Sequence, residues 1–363
     1  HKCIKVLFKI SDENKAIHFK KTDLMIMKIT IFVPNLISMK NFFGLLFLVF
    51  ALQSCDDGDF TIEDSFDFSA VTGRSCNASE SGFFVYKINR NEALLLQIPE
   101  SNFKNESTPE GQPRIITLGG NNKVIYRLFN GELSTNNICS AILPATPIIT
   151  EEWNAVSGTV EIISIANKTL NTTTNATTIT GYTHTITFKN IQFELGNGNI
   201  QLYDQLSFGT YVTNESSFAD FTSIPIARCQ NNNQLLYKIS NSQSLNLEIN
   251  PELFNATVGT NTVLLDAITK LSHLKYNGTL SGTFFCSSPL PSTPVLQQTW
   301  IANQGIFNES GMLEITTTEI LDLENNIIGY NYKFKLLGVT MSKGIEFFYL
   351  GDSYDFGEIN IGI

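Results

Sequence analysis

The chain has only two tryptophans, Trp153 and Trp300, and they coincide when the sequence is slid along itself by 147 positions. At the same offset Phe129-Asn130-Gly131-Glu132-Leu133-Ser134 falls on Tyr276-Asn277-Gly278-Thr279-Leu280-Ser281, and Cys139 to Pro147 falls on Cys286 to Pro294 without a gap. Small changes of offset extend the match on both sides. Asp67-Phe68 and Cys76 pair with Asp220-Phe221 and Cys229, and Tyr86-Lys87-Ile88 pairs with Tyr237-Lys238-Ile239. Gly181-Tyr182 pairs with Gly329-Tyr330, and Phe208-Gly209 with Phe356-Gly357. Rare residues recurring in one order read as two homologous domains, residues 66–212 and 213–363, joined near Thr213-Asn214-Glu215 with almost no linker. A solenoid is excluded, because its period would be roughly 20 to 50 residues. Each unit is long enough to bury about two thirds of its unfolded surface.

Local patterns within each unit are those of strands. Phe83 to Ile88 and Ala93 to Ile98 are short, apolar and aromatic-rich, while Thr183 to Lys189 and Tyr332 to Leu336 alternate strictly. Asn130-Gly131 and Asn277-Gly278 predict tight hairpins, since both central residues of that turn need positive φ. Leu264 to Leu274 is the best helical stretch, and Asn167 to Thr178 reads as an exposed hairpin tip or loop. The Leu-Pro-x-Thr-Pro segments predict rigid crossovers between sheets, with prolines that protect an edge. The expected fold class is therefore all-β, with two tandem, homologous, antiparallel β-sandwich-like domains.

Ahead of these units the character changes. The chain begins with His1, and residues 1–38 read as an upstream or non-native extension, with Met39 favoured as the start over Met25 or Met27. Residues 39–54 read as a signal peptide: Met39-Lys40-Asn41 is a short basic head, and Phe42 to Leu52 an apolar core too short to span a bilayer. That core ends in Leu52-Gln53-Ser54-Cys55, which resembles the lipobox of bacterial lipoproteins, with Gln53 a departure from the commoner small or branched residue. The resemblance implies cleavage before Cys55 and attachment of lipid to its thiol. Each buried methylene of an acyl chain contributes about 0.8 kcal/mol, so two or three chains make a permanent anchor.

Residues 55–65 form an acidic tether beginning Cys55-Asp56-Asp57-Gly58-Asp59. The acidic run resembles the surface-export signal of Bacteroidota lipoproteins and implies an outer-membrane protein facing outward. In other bacteria, Asp after the cysteine retains a lipoprotein at the inner membrane. The whole chain holds 24 basic and 34 acidic residues; without the eight lysines and three acids of residues 1–54 it holds 16 and 31, a net charge of −15. Such a charge argues against nucleic acid as a partner and leaves covalent lipid as the membrane contact.

Four cysteines remain in the two units. Cys76 with Cys139, and Cys229 with Cys286, are equivalent pairs, and an exported chain with even, repeated cysteines predicts one disulfide in each unit. The alternative is four buried thiols packed as small hydrophobes.

Catalytic motifs are not found, and no catalytic residue, metal ligand or cofactor is assigned. His184 falls on Tyr332 and His273 on Tyr126, so each histidine reads as an aromatic packing position. Glu151-Glu152 precede Trp153, but Gln298-Thr299 stand before Trp300. Asp67 and Asp220 are matched and read as turn or edge residues. Trp153 and Trp300 are the candidate glycan-stacking residues, against a core role. The function expected is a non-enzymatic structural or interaction module at the cell surface, accessory to an outer-membrane protein complex. A glycan-binding accessory lipoprotein is the alternative, with exposed Trp or Tyr at the junction of the units. A carboxylate-based hydrolase comes third.

Overall fold

The computed structural model describes residues 67–68, 70–76, 83–215, 218–229 and 232–363, and in the first 65 residues only a two-rung ladder between β1 (Lys9–Ile10) and β2 (Ile17–His18). Cys55, the lipobox Leu52-Gln53-Ser54, the signal peptide and the tether lie outside the described residues. Residues 66–363 form one compact unit. It is almost entirely antiparallel β-structure in sandwich-like sheets.

In the first half, β3 (Arg74–Ser75), β4 (Val85–Asn89), β5 (Glu92–Gln97), β7 (Lys123–Phe129), β8 (Ile149–Leu170), β9 (Thr177–Glu194) and β10 (Ile200–Asn214) pair in the order β10-β9-β8-β7-β5-β4-β3. The remaining strand, β6 (Arg114–Thr117), pairs with β8. The last three strands are long, and bulges near Val156, Gly158 and Phe208 turn them over a core that includes Val85, Leu94, Val124, Trp153, Phe188 and Phe208.

The second half repeats this order with broken strands. β11 (Ala227–Cys229), β12 (Asn232–Ser240), β13 (Gln243–Glu248), β15 (Lys270–Tyr276), β16 (Leu296–Ala302), β19 (Thr340–Lys343) and β20 (Glu346–Tyr349) form one sheet. β14 (Gly259–Leu264), β17 (Met312–Leu321), β18 (Ile327–Leu337) and β21 (Ser353–Gly362) form the other. Each long strand of the first half thus has two shorter counterparts. The core between these sheets includes Leu236, Leu245, Leu271, Trp300, Phe334 and Phe356, and takes in Ile179 and Tyr182 from β9.

Three local expectations are corrected. Leu264 to Leu274 is strand, turn and strand rather than helix. Asp266 Oδ1 accepts the amides of Ile268 and Thr269 at 2.7 Å each, a side-chain turn that stops helical propagation, and β15 is then paired on both sides. The two Asn-Gly pairs are not hairpin turns. Asn130 Oδ1 accepts the Ile148 amide at 3.0 Å and Asn277 Oδ1 the Val295 amide at 2.8 Å, so each asparagine closes the base of a long loop. The glycines make room for Pro147 and Pro294, whose Cβ atoms lie 3.4 and 3.2 Å from where a glycine Cβ would stand. Those loops join β7 to β8 and β15 to β16, neighbours within one sheet, so the Leu-Pro-x-Thr-Pro segments do not cross between sheets.

Cys76 and Cys139 form a disulfide, as do Cys229 and Cys286, each with Cα atoms 5.2 Å apart. In the first half, Cys139 ends α1 (Asn136–Cys139), one α-helical turn.

Candidate functional site

Both tryptophans are core residues, Trp153 with 5% and Trp300 with 2% of its surface exposed, which removes them as glycan platforms. Each indole N–H donates to the residue two positions earlier, Trp153 to Glu151 Oε1 at 2.7 Å and Trp300 to Gln298 Oε1 at 3.3 Å. A carbonyl-type oxygen is all that a buried indole requires, so Glu and Gln serve equally. Glu152 instead pairs with Arg127 at 2.7 Å.

The matched aromatic positions obey the same rule. Tyr126 donates to Glu92 Oε1 at 2.5 Å, and His273 Nε2 lies 2.8 Å from Gln243 Oε1 at the equivalent place. His184 meets the edge of Phe103 at 5.4 Å, as Tyr332 meets Phe254 at 5.2 Å. Both histidines are sealed from solvent. Burial pushes the His273 pKa down to about 3, with the nearby Lys275 charge adding to the effect. Burial, then the Arg114 charge, pushes His184 down to about 4.

One constellation resembles a nucleophile and its base. Ser164 Oγ lies 2.7 Å from His184 Nδ1, and His184 Nε2 lies 3.0 Å from Thr213 Oγ1. Arg114 donates to Ser164 at 2.6 Å, Thr213 donates to Asn105 at 2.6 Å, and Asn105 and Lys275 both donate to Glu215. Following the donors fixes every role: the serine hydroxyl donates a hydrogen bond to Nδ1 of neutral His184, whose Nε2–H donates to the Thr213 hydroxyl. The serine is sealed, and the far side of the imidazole meets a hydroxyl instead of a carboxylate. The chain runs from Arg114 to Lys275 in the second half and works as a tie across the junction.

A second repeated constellation is a buried lysine. Lys87 Nζ donates to the Phe68 carbonyl and Lys238 Nζ to the Phe221 carbonyl, both at 2.9 Å. Each ammonium also lies over a ring, Phe208 at 5.4 Å and Phe356 at 5.5 Å. Desolvation lowers both lysine pKa values, offset by Asp67 for Lys87 and by Asp355 and Asp220 for Lys238. Gly209 follows Phe208 because a Cβ there would stand 2.5 Å from Lys87 Nζ. The Asp-Phe, Lys and Phe-Gly matches, far apart in sequence, thus meet in one bracket per half.

The open concavity at the junction has different chemistry. The tip of the β8–β9 hairpin forms an arm that docks on the second half. Asp352 N donates to Thr174 O at 3.0 Å, Asn175 Nδ2 to Asp352 Oδ2 at 2.7 Å, and Tyr349 N to Thr177 Oγ1 at 2.8 Å. Deeper in the junction, Glu346 accepts from the Ser107 amide at 2.8 Å and from its hydroxyl at 2.9 Å. Between the arm and the second half lies a cleft of about 530 Å³ lined by Tyr349, Tyr354, Asp220 and Asp355, with Asn171 and Thr174 from the arm. The Tyr354 hydroxyl is buried without a partner among the described residues, and burial, then Asp220 and Asp355, raises its pKa. Half-buried tyrosines beside carboxylates can stack on an apolar ligand face and accept hydroxyl donors. Neither tyrosine was singled out from sequence, where nothing distinguishes them from the other nine.

No protein-family model, curated protein or solved structure matches the chain. Among the described residues, no group of His, Cys, Asp and Glu could hold a metal ion, and no helix is long and apolar enough to cross a membrane.

Proposed function

We propose that the chain is a lipid-anchored lipoprotein of a bacterial outer membrane, acylated at Cys55, acting at the cell surface as a non-enzymatic structural or interaction module built by tandem duplication. The observation that carries the binding role is the contrast between sealed and open chemistry. Ser164, His184, Lys87 and Lys238 are committed to structural contacts, whereas the junction cleft is lined by half-buried Tyr349 and Tyr354 and by the exposed carboxylates of Asp220 and Asp355. Both halves have the same strand order, and the match of bracketing residues supports descent from one unit.

The same cleft favours a glycan as ligand, since Tyr349 and Tyr354 offer ring faces and Asp220 and Asp355 accept sugar hydroxyls. Titrating neutral oligosaccharides into the intact protein tests this: saturable binding that weakens at least tenfold in Asp355→Asn supports it, and no binding at millimolar sugar refutes it. Release of reducing ends during the titration would instead favour a hydrolase. Palmitate labelling tests the anchor, with incorporation expected to vanish in Cys55→Ala.

A further inference from the structure

The loop joining β7 to β8 ends in an apolar tip turned to water. Ala141-Ile142-Leu143-Pro144-Ala145 are all exposed, Ile142 at 90% and Leu143 at 49%, and Ile148 and Ile149 are exposed at the base. Between Glu132 and Glu151 no residue is charged, in a chain that is 16% charged and strongly acidic. Pro144 and Pro147 lack an N–H, which leaves two fewer backbone donors to be kept in water. The Cys76–Cys139 disulfide and the Asn137 side chain, donating to the Thr146 carbonyl at 3.4 Å, hold the loop in shape. The matched loop of the second half is uncharged too, but Ser288, Pro289 and Ser292 stand where the first has Ala141, Ile142 and Ala145. The aliphatic version thus belongs to the copy that the anchored segment enters.

The entry point of that segment lies against the same loop. Asn89 Nδ2, at the end of β4, donates to the Asp67 carbonyl at 2.9 Å, and the adjacent Arg90 carbonyl accepts the Leu133 amide at 2.8 Å. Ala70 to Thr72 and Arg74 then line a hollow of about 390 Å³ together with Leu133, Ser134 and Thr135. We infer that the Ala141–Ala145 tip seats in the lipid surface to which Cys55 is anchored, at the boundary between headgroups and acyl chains. The inference rests on the lipid-anchor reading. The segment from Cys55 to Asp67 spans roughly 40 Å at most, whatever its conformation, so an anchored chain keeps this loop beside the bilayer. With a net charge of −15 over residues 55–363, acidic faces are held off anionic headgroups, and the uncharged tip is not. A lipid surface asks for apolar side chains without matched polar groups, which is what the tip supplies. Seating it would fix the orientation of the body above the membrane, which a lipid tail on a tether alone does not.

The test places a fluorescent probe at the tip, as Ile142→Trp, and reads its quenching by phosphatidylcholine brominated in the acyl chains. Residues 55–363, whose folded part is one compact unit, are held on the vesicles in two ways. One is the native acyl anchor; the other is an N-terminal hexahistidine on nickel-chelating lipid, with Cys55→Ala. The native tryptophans are sealed in the core and give a constant background. Bromination should quench the Ile142→Trp emission at least twofold in both arrangements, and adding Leu143→Asp should abolish that quenching without moving the urea midpoint. A Leu323→Trp probe, on the fully exposed acidic turn between β17 and β18, should not be quenched. The inference is overturned if the Ile142→Trp probe is unquenched on the chelated vesicles, if Leu143→Asp leaves quenching unchanged, or if both probes are quenched equally. It is also overturned if the lipid-free protein dimerises in sedimentation and Leu143→Asp restores the monomer, since a second copy would then cover the tip. Palmitate labelling reads the anchor separately: an unlabelled Cys55 refutes the anchor, while the chelated arrangement still decides the loop.

Discussion

At the scale of single residues, the two halves keep a hydrogen-bond role while changing the residue that fills it. Glu151 and Gln298 both accept from a tryptophan, and Glu92 and Gln243 both accept from an aromatic donor. Glu151→Gln should therefore change stability by less than about 0.5 kcal/mol, whereas Glu151→Leu should cost about 1–3 kcal/mol by leaving the indole N–H unpaired; urea unfolding curves measure both. The histidines make a pH prediction. Their folded pKa values, about 4 for His184 and about 3 for His273, lie below the ordinary 6.5, so the unfolded chain binds more protons as the solution is acidified. Their contribution is fully present above about pH 6.5 and is lost progressively as the pH falls toward those values. His273→Tyr, which installs the first half's residue, should lose less stability between pH 7 and pH 4.5 than the parent, read from urea midpoints at the two pH values. That histidine and tyrosine exchange at matched positions is visible in sequence. Which atoms they bond is not, because Gln243 and Glu92 lie some thirty residues away.

Elements show why the same strand order yields different shapes. In the first half β8, β9 and β10 pass through their bulges unbroken, and in the second the equivalent segments are interrupted at Asn303 to Gly311, at Gly338 and at Leu350 to Asp352. The unbroken β8–β9 hairpin is long enough for its tip to reach the second half, and Gly351 sits beneath it with φ +105°, where a Cβ would stand 2.6 Å from the Thr174 carbonyl. Gly351→Ala should cost about 1–3 kcal/mol and should speed amide exchange in the arm. Gly344, with φ +59° and open space around it, is the control, and Gly344→Ala should cost about 1 kcal/mol from backbone conformation alone. The Asn-rich tip is legible from sequence as an exposed hairpin tip or loop, but its landing place is not. The opposite failure occurs at Asn130-Gly131, where local turn preference is overridden by the asparagine side chain bonding across a long loop.

For the molecule as a whole, the decisive feature is that residues 66–363 form one compact unit, tied by the arm, Glu346 and the Arg114-to-Lys275 chain. The halves should unfold together. Each contains one tryptophan, so Trp153→Phe and Trp300→Phe give reporters of the second and first halves respectively, and both should report the same urea midpoint. Replacing Cys76 and Cys139 by serine should destabilise by about 4 kcal/mol, given the 63-residue separation, and should move the midpoint seen by Trp300 as well as by Trp153. Separate midpoints would show that the halves are independent domains.

The all-β class and the repeated residues follow from sequence, because alternation and rare-residue matches are carried by neighbours along the chain. The Lys87 and Lys238 brackets and the cleft beneath the arm, with its unpartnered Tyr354 hydroxyl, follow only from folding. Each depends on whether groups distant in sequence meet with a partner or without one, and that is decided by packing in three dimensions.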